Sequence, residues 1–414
     1  MQTASLRVRM TAAIGATALA VLAIALIGAQ GADAKAKHKA KADNEVVKGP
    51  PGLKFYKPPK KFSKRHGDLI WARKAGGIVP LADARYTKNV LYSSRTPQGQ
   101  KVAVSGSVSV PKGKPPKGGW PVISWAHGTT GAADVCAPSR NAVGGPAQPY
   151  ISYMDSDLNE WLRNGYAVLR TDYQGLGTPG PHPYLVGQAE GRGVLDIVTA
   201  ARELDKSISK RFLIAGHSQG GQSALFAAGN ASSWTPKLKL QGTVAFAPAS
   251  HIFEQKSLLP ALTSPSGLTA LAVMILHGAS TQSSAININA LLSDEVLPFY
   301  PRMETECLSQ LASPSELGGI PPSHIVRSGA DTTTVDPVLM AMNPAVKTAA
   351  PILIAQGDAD TTVFKAFTDS LNSELMGAGN QVTYKVYPGI DHGGVVTAGE
   401  ADALTFFKAQ LPPR

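Results

Sequence analysis

The order of apolar segments limits the fold of this chain more than any other feature of its sequence. Continuous apolar runs bounded by turn residues, at 120–128 (WPVISWAHG) and 165–175 (GYAVLRTDYQG), are typical of strands buried on both faces of a parallel sheet. An earlier segment, KVAVSGSVSVP at 101–111, alternates apolar with small or polar residues and predicts a half-buried strand. Residues 190–206 place their apolar side chains on one stripe of a helix. This alternation predicts an α/β fold with a mostly parallel, doubly wound sheet.

The alternation stops between Ser250 and about Ala350. That stretch holds helix-like pieces separated by Pro and Ser breaks, without a clear strand. We therefore predict an α/β core over residues 66–249 and 351–414, with a helical cap inserted over residues 250–350. An irregular second domain is the alternative.

The first residues have the pattern of an export signal. Arg7 and Arg9 precede an apolar run at 11–29, and a small-x-small cleavage pattern ends at Ala34. We expect a signal peptide over residues 1–34 that is removed when the protein is secreted. A membrane anchor is the alternative, because about nineteen apolar residues are near the minimum that spans a bilayer.

A basic segment follows at residues 35–65. It carries eleven Lys or Arg against two acidic residues and so supplies most of the formal net charge of +11. Its Lys/Pro-rich composition predicts a solvated, flexible linker, and contact with an anionic wall polymer or membrane surface is the alternative. Residues 66–414 are nearly neutral and show no basic face with interleaved aromatic residues, so no nucleic-acid partner is expected. A monomer is the working expectation.

Cys136 and Cys307 are the two cysteines of the chain. An exported protein permits a disulfide between them, and two buried free thiols are the alternative. Neither cysteine has a C-x-x-C partner or a neighbouring His cluster, so we expect no metal site and no cofactor.

Ser218 lies in a G-x-S-x-G pattern within LIAGHSQGGQSALFAAG (213–229). The pattern alone is weak, because roughly 0.3 matches are expected by chance in a chain this rich in glycine. Its context is stronger, since an apolar strand-like run precedes it and a helical pattern follows it. That arrangement predicts a tight turn that exposes the serine hydroxyl at the edge of the sheet.

A serine nucleophile needs a base, and the base needs an orienting carboxylate. Asp358 and Asp360 follow one later strand, and His392 follows the next. The chain order Ser, Asp, His resembles that of the α/β-hydrolase family over residues 66–414. The resemblance implies Asp360 as the acid, because it matches a G-x-x-D-x-x-V pattern, and Asp358 as a residue that caps the loop.

Nine histidines compete for the role of base. His392 is favoured because it alone follows the last predicted strand, between glycine-rich turns. We expect the side chain of His217 to turn away from the serine. The other histidines lie in loops after early strands, in the insertion or by the tail: His38, His66, His127, His182, His251, His277 and His324.

Backbone N–H groups are expected to stabilise the oxyanion. The N–H of Gln219, directly after the serine, is one predicted donor. The second is predicted in AHGTTG, which resembles the H-G-G-G loop of the family but has threonines at two glycine positions. The choice among Gly128, Thr129 and Thr130 stays open.

Several longer stretches narrow the resemblance. AHGTTGAADVCAPS, TDYQGLGTPGPHPYLVG, GHSQGG and GDADTTV together resemble the secretory lipase family. The resemblance implies a secreted, metal-independent lipase or esterase whose helical cap covers an acyl-binding tunnel, and it supports pairing Cys136 with Cys307. Asp172 and Tyr173 in the second stretch either line the pocket or, as we favour, stabilise their own loop through Asp172.

The sequence therefore predicts a secreted serine esterase or lipase that hydrolyses carboxylic, acylglycerol-type esters through a Ser218–His392–Asp360 triad and an acyl-enzyme. A peptidase or an acyltransferase would use the same residues on the same fold. A cell-wall-binding protein with a vestigial triad is the alternative outside enzymes.

Overall fold

The computed structural model describes residues 46–413, so the predicted signal peptide and the first part of the predicted linker lie outside the described residues. Within this range nine strands form one sheet in the order β1-β2-β3-β5-β4-β6-β7-β8-β9. The strands are β1 (Leu69–Lys74), β2 (Ala84–Arg95), β3 (Lys101–Pro111), β4 (Trp120–Ala126), β5 (Ala167–Gln174), β6 (Ile208–His217), β7 (Lys239–Phe246), β8 (Ile352–Gly357) and β9 (Val382–Tyr387).

The sheet is antiparallel from β1 to β5 and parallel from β5 to β9. The parallel strands place their carboxyl ends at one edge, where sheets of this kind carry their functional sites. The helices are α1 (Pro149–Ser152), α2 (Asp155–Arg163), α3 (Gly187–Leu204), α4 (Gln219–Trp234), α5 (Ile252–Gln255), α6 (Leu268–Ser280), α7 (Ile288–Leu291), α8 (Leu308–Leu311), α9 (Asp336–Ala341), α10 (Lys365–Gly377) and α11 (Gly394–Gln410).

Helices cover both faces of the sheet. Val122 of β4 packs in the apolar cluster that α3 and α4 complete, and its neighbour Ile123 packs in the cluster that α2 and α11 complete. Adjacent strand residues point to opposite faces, so both must be apolar when both faces are covered. The continuous apolar runs of the sequence follow from this double layer.

Strand β3 is buried along most of its length rather than half-buried as its alternating pattern predicted. Its serines do not face water but form hydrogen bonds with neighbouring polar groups. Ser107 accepts a hydrogen bond from Arg170 at 2.9 Å, and Ser105 donates one to Asp172 at 2.6 Å. Hydrogen bonds of this kind allow a polar face to be buried.

Between β7 and β8 the chain forms α-helices and 3-10 helices joined by irregular segments, with an isolated β-bridge between Leu292 and Val326, and we refer to residues 252–341 as the helical segment. The 3-10 helices of this segment are Lys256–Ala261, Leu297–Glu304, Leu317–Gly319 and Pro322–His324. It contains its own apolar cluster, which includes Met274, Leu292 and Leu311. Residues 46–413 nevertheless belong to one compact unit.

Part of the described basic segment packs on the body, so the prediction of a solvated, flexible linker does not hold around Phe55 and Tyr56. Phe55 and Tyr56 lie in the 3-10 helix Gly52–Tyr56, and both side chains are buried. The Arg73 guanidinium lies 4.3 Å from the centre of the Phe55 ring. The composition predicted a solvated linker because lysines are frequent in this segment. The two aromatic residues that anchor it, Phe55 and Tyr56, have little effect on the composition.

Cys136 and Cys307 form a disulfide, as predicted, and are not free thiols. Cys136 ends the 3-10 helix Asp134–Cys136 that follows the loop after β4, and Cys307 directly precedes α8. The Leu308 N–H also donates to the Thr130 carbonyl at 2.9 Å. These contacts attach the helical segment to the loop after β4. No helix in residues 46–413 is long and apolar enough to cross a membrane.

Candidate active site

Ser218 occupies a strained turn between β6 and α4. Its backbone has φ 59° and ψ −118°, a conformation that residues with a side chain rarely adopt. The Ser218 N–H donates to the Phe246 carbonyl at 2.9 Å, and the Ser218 carbonyl accepts from the Ala249 N–H at 3.2 Å. This backbone conformation is unfavourable by about 1–3 kcal/mol. The hydrogen bonds to β7 and to the residues after it hold Ser218 in it.

Glycines allow the backbone around this turn to pack closely. A Cβ on Gly220 would lie 1.9 Å from the Ala126 carbonyl oxygen and 2.6 Å from that of His127. A Cβ on Gly216 would lie 2.0 Å from the Gly220 carbonyl oxygen. The turn therefore contacts the loop after β4 directly, backbone to backbone, and a side chain at either glycine would separate them.

Asp360 and His392 meet at the same edge of the sheet. The His392 Nδ1 donates to the Asp360 Oδ2 at 2.7 Å, and the Asp360 side chain is fully buried. The other carboxylate oxygen of Asp360 accepts the N–H groups of Thr362 and Val363, each at 2.8 Å. Asp360 is thus held in place while it orients the imidazole.

Asp360 stays ionised despite its burial. Burial raises its pKa, but the His392 ring and the Val363 and Thr362 N–H groups outweigh that effect and hold the pKa below its ordinary value. Asp358 has a different partner, because its Oδ1 accepts the Gly389 N–H at 2.6 Å. It connects the loops after β8 and β9 and does not contact the histidine ring.

Ser218 and His392 border one cavity of about 760 Å³, which we call the larger cavity. Gly128 and Thr129 lie on its wall as well. Among the hydrogen bonds of residues 46–413, none joins the Ser218 hydroxyl to the His392 ring. Such bonds often shorten only when a substrate is bound.

A second cavity of about 150 Å³, which we call the smaller cavity, also reaches Ser218. It extends beneath the helical segment, and its wall is mostly leucine, isoleucine and valine, including Leu276, Leu291 and Ile325. Ser218 therefore borders both an apolar space and a more open one.

The candidate oxyanion donors lie on two sides of the serine. Gln219 begins α4, where backbone N–H groups have no carbonyl partner within the helix. Gly128 and Thr129, in the loop after β4, line the larger cavity, and the Thr129 hydroxyl hydrogen-bonds to the Tyr184 hydroxyl at 2.8 Å. Thr130 does not line either cavity, and its side chain is fully buried.

A buried carboxyl group connects these two sides, and the sequence reasoning did not detect it. Glu190 of α3 accepts the Gln219 side-chain amide at 2.7 Å, the Ser223 hydroxyl at 2.5 Å and the Leu185 N–H at 2.9 Å. Leu185 follows Tyr184, the partner of Thr129. The sequence offered one signal for this role. Glu190 is an acidic residue in the first turn of α3, a helix that is covered by neighbouring layers on both sides.

Burial raises the pKa of Glu190 to about 7, although the three donors lower it in part. His182 lies beside it, with Nε2 3.6 Å from the carboxylate. Burial lowers the pKa of His182 to about 3, and its Nδ1 donates to the Gln174 carbonyl at 2.8 Å. His182 is therefore neutral, and its Nε2 accepts the second N–H of the Gln219 amide at 3.1 Å.

The His217 side chain, which we expect to turn away from the serine, packs against the His392 loop. His217 lines the larger cavity, and its ring centre lies 4.7 Å from that of His392. Its Nε2 donates to the His392 carbonyl at 2.9 Å, so its Nδ1 is free to accept the Tyr153 hydroxyl at 2.8 Å. Burial lowers the pKa of His217 to about 3, so the ring is neutral. Its hydrogen bond to the His392 carbonyl stabilises the His392 loop.

Asp172 and Tyr173 are structural and line neither cavity. The Asp172 carboxylate is fully buried and accepts the Ser139 N–H at 2.8 Å. Tyr173 has φ 69°, and its hydroxyl donates to the His127 carbonyl at 2.8 Å. Asp172 holds the turn after Cys136 rather than its own loop, because the two are brought together by β3 and β5.

Among residues 46–413, no group of three or more His, Cys, Asp or Glu side chains is placed to hold a metal ion.

Residues 151–292 match the secretory lipase family. No curated protein sequence matches the chain at a significant level. The fold is similar to Candida antarctica lipase A in its closed state, with a TM-score of 0.71 and 19 % identity over 86 % of this chain and 84 % of that chain. It is also similar to the rice cell wall degrading esterase LipA from Xanthomonas oryzae, with a TM-score of 0.66 and 15 % identity over 84 % and 100 %.

These matches confirm the fold and the resemblance that the motifs predicted. These two structural neighbours are a lipase and an esterase, and the family model that matches residues 151–292 is that of the secretory lipases. The chain has the α/β-hydrolase fold and resembles the secretory lipases.

Proposed function

We propose that this protein is a secreted serine esterase or lipase that hydrolyses carboxylic esters through an acyl-enzyme. One observation carries the proposal. His392, oriented by the buried carboxylate of Asp360, borders the same cavity as Ser218, which is held in a strained turn. A serine, a base and an orienting acid at one sheet edge are the parts that acyl transfer requires.

In the first half of the reaction, Ser218 Oγ attacks the ester carbonyl carbon and passes its proton to His392 Nε2. The C–O bond to the alcohol then breaks, and His392 returns that proton to the leaving alcohol oxygen. In the second half, water gives a proton to His392 and attacks the acyl-enzyme, which releases the acid and restores the Ser218 hydroxyl. Asp360 stabilises the imidazolium at each stage and remains ionised.

The oxyanion that forms in each half requires donors on the side of Ser218 that faces the loop after β4. The Gln219 N–H and a group of Gly128 or Thr129 have positions that support this role. Removal of one such donor reduces kcat by about 10²–10³-fold in a serine hydrolase.

The helical segment acts as a cap in this proposal, and the smaller cavity beneath it receives the acyl chain. The apolar wall of that cavity supports the assignment, because an acyl chain gains about 0.8 kcal/mol for each CH₂ group removed from water. The disulfide and the Leu308–Thr130 bond keep the cap next to the oxyanion loop.

The proposal is tested with Ser218→Ala in the purified protein. We expect p-nitrophenyl butyrate turnover to fall by at least about 10⁴-fold, because the nucleophile is removed. A fluorophosphonate probe should label the wild type and not the variant. Ser233→Ala, at an exposed position of the same helix, is the matched control and should keep full activity.

Three outcomes would favour other functions. Faster acyl transfer to an added alcohol than to water would indicate an acyltransferase, and release of an amine from peptide substrates would indicate a peptidase. A wild type that neither turns over esters nor reacts with the probe would overturn the proposal and favour a binding protein. Export is tested by finding the protein in culture medium with an N-terminus after Ala34.

A further inference from the structure

The two cavities that meet at Ser218 are chemically different. They share Ser218, Leu262, Leu268, Leu271, Thr362 and Phe364. His392 and the oxyanion loop border only the larger cavity. The smaller cavity reaches Ser218 without reaching the histidine.

This asymmetry assigns the two halves of the ester. His392 must give its proton to the leaving alcohol oxygen, so the alcohol has to lie on the histidine side of Ser218, within the larger cavity. The acyl chain then occupies the smaller cavity. The assignment rests on the proposed function and on which residues border each space.

The smaller cavity limits the acyl chain. Its volume of about 150 Å³ holds about five groups of the size of a water molecule or a methylene. A hexanoyl chain fills that space, whereas a palmitoyl chain needs roughly three times as much. A longer chain would have to push apart buried side chains such as Leu291 and Ile325, and overpacking of this kind is unfavourable.

The larger cavity has room and hydroxyl groups for a large polar alcohol. Tyr150, Thr361, Thr362 and Thr397 line it, and within residues 46–413 their side-chain hydroxyls form no hydrogen bond to the protein. Hydroxyls of this kind can donate to and accept from the hydroxyls of a ligand. A simple alkyl alcohol offers no such hydroxyls, so these side chains, three of which are exposed, would keep only water as a partner.

We propose that the enzyme selects esters of short-chain acids with bulky polyhydroxy alcohols, such as acylated sugars, over esters of long-chain fatty acids. The acyl half is selected by size in the smaller cavity. The alcohol half is selected by hydroxyl groups in the larger cavity.

The acyl half is tested with p-nitrophenyl acetate, butyrate, hexanoate, octanoate and palmitate. We expect kcat/KM to be highest at butyrate or hexanoate and to fall by at least about tenfold at palmitate. Leu276→Ala should raise the octanoate-to-acetate ratio of kcat/KM, and Leu276→Phe should lower the hexanoate-to-acetate ratio. Leu404→Ala, a partly buried leucine of α11 outside both cavities, should leave these ratios unchanged.

The alcohol half is tested with 6-O-acetylglucose, which keeps four free hydroxyls on its alcohol half, and with hexyl acetate, which has none. The double variant Thr361→Val/Thr397→Val preserves side-chain shape and removes two hydroxyls from the larger cavity. We expect it to lower kcat/KM for 6-O-acetylglucose by about fivefold or more relative to hexyl acetate, mainly through KM. An equal effect on both esters, or none on either, would overturn the alcohol half.

A preference for palmitate over butyrate would overturn the acyl half while leaving the esterase function intact. Absence of turnover of every ester, together with no labelling by the fluorophosphonate probe, would instead overturn the proposed function. The two failures are therefore distinguishable in the same set of assays.

Discussion

Glu190 shows how a single residue can connect the two sides of the site. Its carboxylate accepts from the Gln219 side chain on one side and from the Leu185 N–H next to Tyr184 on the other. Tyr184 in turn hydrogen-bonds to Thr129. The positions of both candidate oxyanion groups thus depend on one buried carboxyl group that contacts neither cavity.

Glu190 also has a consequence for stability. Because burial raises its pKa to about 7, the folded protein binds this proton more tightly than the unfolded chain does. The resulting stability is complete below the unfolded value of about 4.3 and is lost as the pH rises to about 7. The neighbouring His182 stays neutral across this window because its own pKa is about 3. We expect Glu190→Gln to remove about 3 kcal/mol of this pH dependence.

The measurement is the free energy of unfolding in urea at pH 5 and pH 8 for the wild type and Glu190→Gln. The wild type should lose more stability between the two pH values than the variant. Glu254→Gln, at an exposed position, is the control and should follow the wild type. The same pH dependence in wild type and Glu190→Gln would show that the carboxyl group is ionised at both pH values.

At the level of elements, the turn between β6 and α4 and the loop after β4 form one packed unit. Gly220 is the contact between them, because its missing Cβ leaves room for the carbonyl oxygens of Ala126 and His127. The candidate oxyanion groups lie on these two elements. Their separation is therefore set by backbone contact and not by side-chain packing.

Gly220→Ala should force these two elements apart. We expect a loss of about 1–3 kcal/mol in the free energy of unfolding and a fall in kcat larger than any change in KM, because the oxyanion groups move away from the serine. Gly377→Ala is the matched control, since a Cβ at the end of α10 meets nothing within 4 Å. Full activity in Gly220→Ala would contradict the close contact.

At the level of the whole molecule, the disulfide is the covalent link between the sheet and the helical segment. Cys136 and Cys307 are 171 residues apart in the chain. On the chain-entropy model, closing a loop of this length contributes about 5 kcal/mol, and measured values are often smaller. The bridge also keeps α8 against the loop after β4, where the candidate oxyanion groups lie.

The double variant Cys136→Ser/Cys307→Ser should therefore unfold at a lower temperature than the wild type and lose part of its esterase kcat. Thermal unfolding followed by circular dichroism measures the first effect, and p-nitrophenyl butyrate turnover measures the second. Dithiothreitol should lower the Tm of the wild type and leave that of the double variant unchanged. A double variant as stable as the wild type would show that non-covalent packing alone holds the helical segment.

The sequence by itself determined the features that depend on local pattern. Continuous apolar runs that alternate along the chain with helical stripes predicted the parallel sheet. The strand-like and helical segments on either side of Ser218 predicted its turn. Both predictions were possible because the periodicity of strands and helices is a property of neighbouring residues. The chain order of Ser218, Asp360 and His392, with the family resemblance, was sufficient to select the candidate triad.

Only the tertiary structure decided which distant residues complete the site. His217 turns into the larger cavity because Tyr153, 64 residues away, supplies its hydrogen bond, and Glu190 is a connector because Leu185, Gln219 and Ser223 surround it. The burial of Phe55 and the division of the space around Ser218 into two cavities also depend on contacts between distant segments of the chain. Contacts between segments far apart in sequence leave no periodic pattern in either segment, so they become visible only when the chain has folded.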